Sequence, residues 1–282
     1  VTFSELVLAK NLVVHALLTD GLLWKQISLP NINELERRPM QFEILFITGL
    51  LLVAFLYASV GHGGASAYLA LMALFNVMPD SIRLHALILN MFVSGIAFIS
   101  YSRAGFFRWR FIWPFLIGSI PAAYLGAHIS IDQHIYKIIL GIFLIIAVLR
   151  LLLPTDPENK TRTNPPLLLA LGIGIALGFI SGIIGIGGGI LLSPILILAG
   201  YASTKEASAA SSLFIFLNSA SGLAGLPADQ IHMHPHLFIW ILVVIGAGFA
   251  GSSIGSHSLP DIKLRMILSV VLLTATFKLF FY

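Results

Sequence analysis

The sequence predicts an all-α polytopic membrane protein made of two homologous halves, about five helices each, with a short glycine-broken helix in each half. Three observations carry this. Hydrophobic residues make up 58% of the 282-residue chain and charged residues 10%, where a soluble domain carries roughly 25% charge. From Phe42 onward, apolar stretches near bilayer-crossing length alternate with short polar links. Landmarks of the first half also recur, in order, in the second. The net charge of +4 fits Lys and Arg in cytoplasmic loops and argues against a nucleic-acid partner. With no cysteine, disulfides, thiol catalysis and thiolate metal sites are excluded.

In chain order, residues 1–40 form an N-terminal extension. Phe3, Leu6, Val7, Val13, Val14 and Leu17 recur at helical spacing. That fits an interfacial amphipathic helix, and a loosely ordered extension stays open beside it. Glu5, Lys10, Asp20 and Lys25 interrupt any apolar run, and no basic start precedes one, so the stretch does not read as a secretory signal. The first transmembrane repeat, 41–153, has helices expected at 42–60, 64–78, 82–101, 111–130 and 134–153. The Pro-bracketed linker "PTDPENKTRTNPP" (154–166) follows. The second repeat, 167–282, has helices expected at 167–185, 188–200, 204–225, 237–257 and 262–281. The two helices that fall short of a span start just after glycine clusters.

The halves match point by point. "GHGGA" at 61 pairs with "GIGGG" at 185, and Asn90 with Asn218. "FIW" at 111–113 recurs at 238–240, "LGAH" at 125–128 pairs with "IGSH" at 254–257, and Asp132 pairs with Asp261. Such ordered matches at a near-constant offset mark an internal duplication. Five crossings per half would invert the copies; four, with re-entrant short helices, would make them parallel. In the five-crossing arrangement Arg103, Arg108, Arg110, Arg150, Lys160, Arg162, Lys205, Lys263 and Arg265 share one side, the cytoplasmic one, and Arg37 and Arg38 lie opposite.

The glycine clusters have three readings. Helix packing by small residues suits isolated glycines such as Gly49, Gly172 and Gly246. It suits runs poorly, because consecutive glycines point in different directions and each weakens a helix by about 1 kcal/mol. A nucleotide loop fails, since "GIGGGI" lacks the final Gly of G-x-G-x-x-G and neither cluster ends in Gly-Lys-Ser/Thr. A break inside the membrane fits best. Unwound backbone at that depth must line a cavity or lie in protein. The helix that restarts there points free N–H groups and its positive dipole end at an anion.

The expected substrate-binding set is therefore His62, Gly63, Gly64, Ser66, Arg83, Asn90, Ser94, Gly187, Gly188, Gly189 and Asn218. Ser66 and His62 supply donors. Arg83, Asn90, Ser94 and Tyr101 share one helical face, as do Ser211, Asn218 and Gly225. The competing readings are interhelical hydrogen bonding for the two Asn residues and snorkelling for Arg83. Asp80, Asp132, Asp156, Glu158, Glu206, Asp229 and Asp261 fall at helix ends or in loops, so a cation path lined by mid-span acids is disfavoured. "HMHPH" (232–236) has no second ligand cluster and reads as an interfacial loop. His128 and His257 are equivalent in the two halves and lie near helix ends, where a structural role is expected. No catalytic constellation is present, so neither an enzyme, a metal nor a cofactor is expected.

The segments "SVGHGGASAYLALMALF" (59–75), "SGIIGIGGGILLSPILILAG" (181–200) and "RAGFFRWRFIWPF" (103–115) resemble the TauE/SafE family of membrane permeases, over about residues 41–281. The resemblance implies transport of sulfite, sulfoacetate or other organosulfonates, usually outward, with the glycine motifs at 61–65 and 185–189 as substrate-binding elements. His62 and Ala65 depart from the plain glycine pattern. A carboxylate or other small anion, or a non-transporting membrane scaffold, stays open as an alternative. The expected partners are a small anionic substrate and the lipid bilayer of a bacterial inner membrane, with a homodimer allowed. An inside-negative potential, worth about 2.3 kcal/mol per charge per 100 mV, would drive an anion out uncoupled, so electrogenic export is expected.

Overall fold

The computed structural model describes residues 32–75, 77, 82–129 and 165–258, with positions 145, 266, 270 and 273. Apart from those four positions, the helices expected at 134–153 and 262–281, most of the 154–166 linker and residues 1–31 lie outside the described residues. Among the described residues, the helices are α1 (Ile32–Ser59), α2 (Ala65–Leu74), α3 (Ile82–Arg103), α4 (Trp109–Ala127), α5 (Leu167–Ile184), α6 (Gly189–Leu198), α7 (Thr204–Ala224) and α8 (Leu237–His257), with a 3-10 turn at Ala228–Gln230. The chain divides into two units, Val1–Ile44 and Leu45–Tyr282. In the first, residues 32–44 are helical. Helix α1 starts ten residues before the expected 42, because Glu34, Glu36, Arg37 and Arg38 are polar yet favour helix.

All further description concerns the second unit. Helices α3, α5, α7 and α8 are long and apolar enough to cross a membrane. Large apolar side chains such as Leu168, Ile117 and Phe238 face outward, as lipid contact demands. Helices α2 and α6 have ten residues each, about 15 Å and half a bilayer. Helix α2 folds back along α1: Gly49 lies against Leu71, the Phe46 and Phe75 rings meet edge to face at 5.4 Å, and Tyr57 and Ser66 share a hydrogen bond.

Repeat-equivalent helices meet at the centre. Leu87 faces Gly222, Asn90 donates to Ser219 and Phe216 packs on Gly95, so α3 and α7 run antiparallel. Each fourth helix packs on the first helix of the other half. On α5, Gly174, Gly178 and Gly182 lie against the backbone of Phe115, Ser119 and Ala123 of α4. On α8, Gly251 and Gly255 lie against the carbonyls of Phe55 and Ser59 of α1. Backbones approach this closely only where side chains are absent. Gly172 and Gly246 differ from expectation: among the described residues nothing lies within 4 Å of where a side chain would be, and both are exposed. They sit on the outward faces of α5 and α8, which helical periodicity in an all-apolar helix does not reveal.

One end of the unit gathers charge. Ser203 and Glu206 close a reciprocal capping box at the start of α7. Glu206 also pairs with Arg108 at 3.7 Å, while Lys205 donates to Ser256 O and lies over the Phe106 ring.

Candidate functional site

Both glycine clusters are breaks between helices. The first separates α1 from α2 and the second separates α5 from α6. Gly185, Gly187 and Gly188 all take positive φ, between 71° and 82°, a region side-chain-bearing residues avoid. Gly185 ends α5 by donating its N–H to Ser181 O at 2.7 Å.

Asn90 lies between the two breaks and joins them. Its Oδ1 accepts from Ala65 N–H at 3.1 Å, at the start of α2. Its Nδ2 donates to Ile186 O in the second break at 3.4 Å and to Ser219 Oγ at 2.8 Å. Gly63 and Gly187, equivalent in the two halves, flank this carboxamide. A methyl on Gly63 would overlap Asn90 Oδ1, and one on Gly187 would come within 2.6 Å of Nδ2. The rest of the polar face of α3 serves the same seam. Tyr101 donates to Ser59 O at the end of α1. Arg83 donates to Gly182 O near the end of α5 and to Ala127 O at the end of α4. From α7, Ser208 donates to Val60 O.

Between the breaks lies a narrow cleft of about 10 Å³, room for about one water. Its first-half wall is polar: Tyr57, His62, Gly63, Gly64, Ser66 and Asn90. Its second-half wall is apolar: Ile186, Ile190 and Ile215. Among the described residues, no Asp, Glu, Lys or Arg lines it. His62 is 1% exposed. Its Nδ1 donates to Val60 O at 2.9 Å, while Nε2, near the Gly189 backbone, closes no hydrogen bond. The Tyr68 hydroxyl, behind Gly64, is also buried without a hydrogen-bond partner.

The structure thus brings His62, Gly63, Gly64, Ser66 and Asn90 to one cleft and places the other expected residues elsewhere. Arg83, half-buried at the start of α3, is not on the cleft; its guanidinium is bound to helix-end carbonyls. Ser94 bonds back to Met91 O within α3. Asn218 does not mirror Asn90. It donates to Ser119 Oγ and Phe214 O, and its Oδ1 has no partner. Gly187, Gly188 and Gly189 are packed against Asn90, Phe214 and Ile215, so they shape the cleft from behind. The N–H of Ala65, expected to face a ligand, is taken by Asn90. Tyr57 and Tyr68 were not expected. Their sequence signal is position: each stands four residues outside the first cluster, one helical turn away on the flanking helix. In the "HMHPH" loop, His234 N–H donates to His85 Nε2 at 2.9 Å and its ring stacks on Trp240 at 4.4 Å.

A helical bundle with paired broken helices around a buried cleft defines a polytopic membrane transporter class. The family model described as sulfite exporter TauE/SafE matches residues 45–279, and the chain belongs to that family. It is 34% identical to the probable membrane transporter protein y4hK of Sinorhizobium fredii, over 80% of this chain and 94% of that one. It is 30% identical to the probable membrane transporter protein MJ0441 of Methanocaldococcus jannaschii, over 65% of this chain and 74% of that one. Against the probable membrane transporter protein MamO of Paramagnetospirillum magneticum it is 24% identical, over 81% of this chain but 43% of that longer protein. No solved structure matches. The chain is therefore a multi-pass membrane protein and a membrane transporter.

Proposed function

We propose that this transporter exports small sulfur-containing anions, sulfite, sulfoacetate or other organosulfonates, across a bacterial plasma membrane through the cleft between its helix breaks. The observation that carries this is the cleft itself. One wall offers hydroxyl and imidazole groups, and among the described residues no acid lines it. Such a wall suits an oxyanion, and a cation would need carboxylates there. The apolar second wall suits a short organic tail beside the anionic head. In this reading His62, Ser66 and Tyr57 meet the substrate. Asn90, Gly63 and Gly187 set the spacing of the breaks, and the two halves are inverted copies, which the antiparallel contact of α3 and α7 supports.

A thermal-shift screen of the purified protein against sulfite, sulfoacetate, taurine, sulfate and thiosulfate tests the substrate class. Stabilisation by the sulfonates or sulfite is expected. Stabilisation by acetate or succinate in their place would turn the assignment to a carboxylate.

A further inference from the structure

We propose that the anion enters the cleft together with one proton, held on Nε2 of His62, so that the pair is transported and not the bare anion. This deepens the anion-transport reading and rests on it. A carbonyl can only accept, so the 2.9 Å contact with Val60 O puts a proton on Nδ1. The state of Nε2 then sets the charge of the ring. As a lone pair it repels an oxyanion; as an N–H it donates to one, in a charge-assisted bond. The ring belongs to the cleft wall, is 1% exposed, and closes no hydrogen bond through Nε2.

The groups around it leave this role to His62. The titratable neighbours are the phenols of Tyr57 on α1 and Tyr68 on α2, both uncharged at neutral pH. Helix α3 contributes Asn90, the second break and α6 contribute Ile186 and Ile190, and α7 contributes Ile215. Among the described residues, an imidazolium in this lining meets no carboxylate, and an anion meets no other cation. Each supplies the counter-charge that the other lacks, so neither is left as a lone buried charge. Their binding is then reciprocal: proton favours anion and anion favours proton. The proton comes from water on the side of entry, bonds to the Nε2 lone pair, and returns to water on the far side as Nε2 regains that pair. A monovalent anion then crosses with no net charge. The membrane potential no longer drives it, and the expectation of electrogenic export gives way to one in which the anion's own outward gradient, set against the pH gradient, drives the pair out.

The test uses the full chain in liposomes with methanesulfonate as probe, an anion that carries no proton of its own at neutral pH. With methanesulfonate loaded inside and a pH dye in the lumen, efflux is expected to alkalinise the lumen by one proton per anion. It should ignore an imposed potential, and apparent affinity should rise about tenfold per unit fall in pH. His62→Gln, checked for an unchanged melting temperature, is expected to abolish the proton signal whether or not anion flux survives. A proton signal that persists in His62→Gln overturns the inference. So does wild-type flux that responds fully to potential and leaves lumenal pH unchanged, an outcome that keeps anion transport intact. Failure of methanesulfonate, sulfite and acetate alike to cross would overturn the transport reading and this inference with it.

Discussion

Two asparagines that look equivalent in sequence do unequal work. Asn90 satisfies a helix-start N–H, a break carbonyl and a serine hydroxyl at once. Removing it leaves buried groups unpaired, at about 1–3 kcal/mol each. Asn90→Leu is expected to lower the melting temperature in detergent sharply. Asn218→Leu should cost less, since it also removes an orphaned Oδ1; equal losses would contradict the asymmetry. Gly187→Ala forces a methyl against Asn90 Nδ2 and Ser219 Oγ at a positive φ, an overpacking worth about 1–3 kcal/mol. It should destabilise even though Gly187 does not line the cleft. His62→Ala is expected to change anion selectivity more than stability, read as a lost thermal shift with sulfite or sulfonates at a near-native melting temperature.

Helices here meet through backbone. The α4–α5 and α8–α1 contacts place glycines against carbonyls, where even a methyl has no room. Gly178→Leu should therefore force α4 and α5 apart and abolish a folded, monodisperse protein in size-exclusion chromatography. Gly172→Ala, six residues earlier on the same helix but on its exposed side, should be neutral or gain up to about 1 kcal/mol in helix stability. If both variants behave alike, the assignment of inward and outward faces on α5 is wrong. Sequence alone did not separate these two glycines, because a helix apolar on all sides carries no periodic marker of its buried face.

Across the whole molecule, the fourth helix of each half packs on the first helix of the other, so neither half closes its core alone. Arg103 and Lys205 belong to the end where α3 finishes and α7 begins; Asp229 follows the opposite end of α7. The natural absence of cysteine makes this testable without a background. Single cysteines at the exposed Arg103 and Asp229 positions should react with a membrane-impermeant maleimide from opposite faces, Arg103 from the cytoplasmic one. Labelling of both from one face would refute the arrangement.

The amino-acid sequence by itself determined the membrane class, the duplication, the places where helices break and five residues of the cleft. These are local facts: apolar run length, repeated landmarks, and glycines where a helix has to stop. Tertiary structure alone decided which polar residues face the cleft and which clamp helix ends. Arg83 and Asn90 share one face of α3, yet one binds the carbonyls of α4 and α5 while the other spans the breaks. A helical face has one direction along its length, but the partners it meets change at every turn. Likewise the pairing of Gly63 with Gly187 around one carboxamide joins residues 124 positions apart, and only packing of the two halves brings them together.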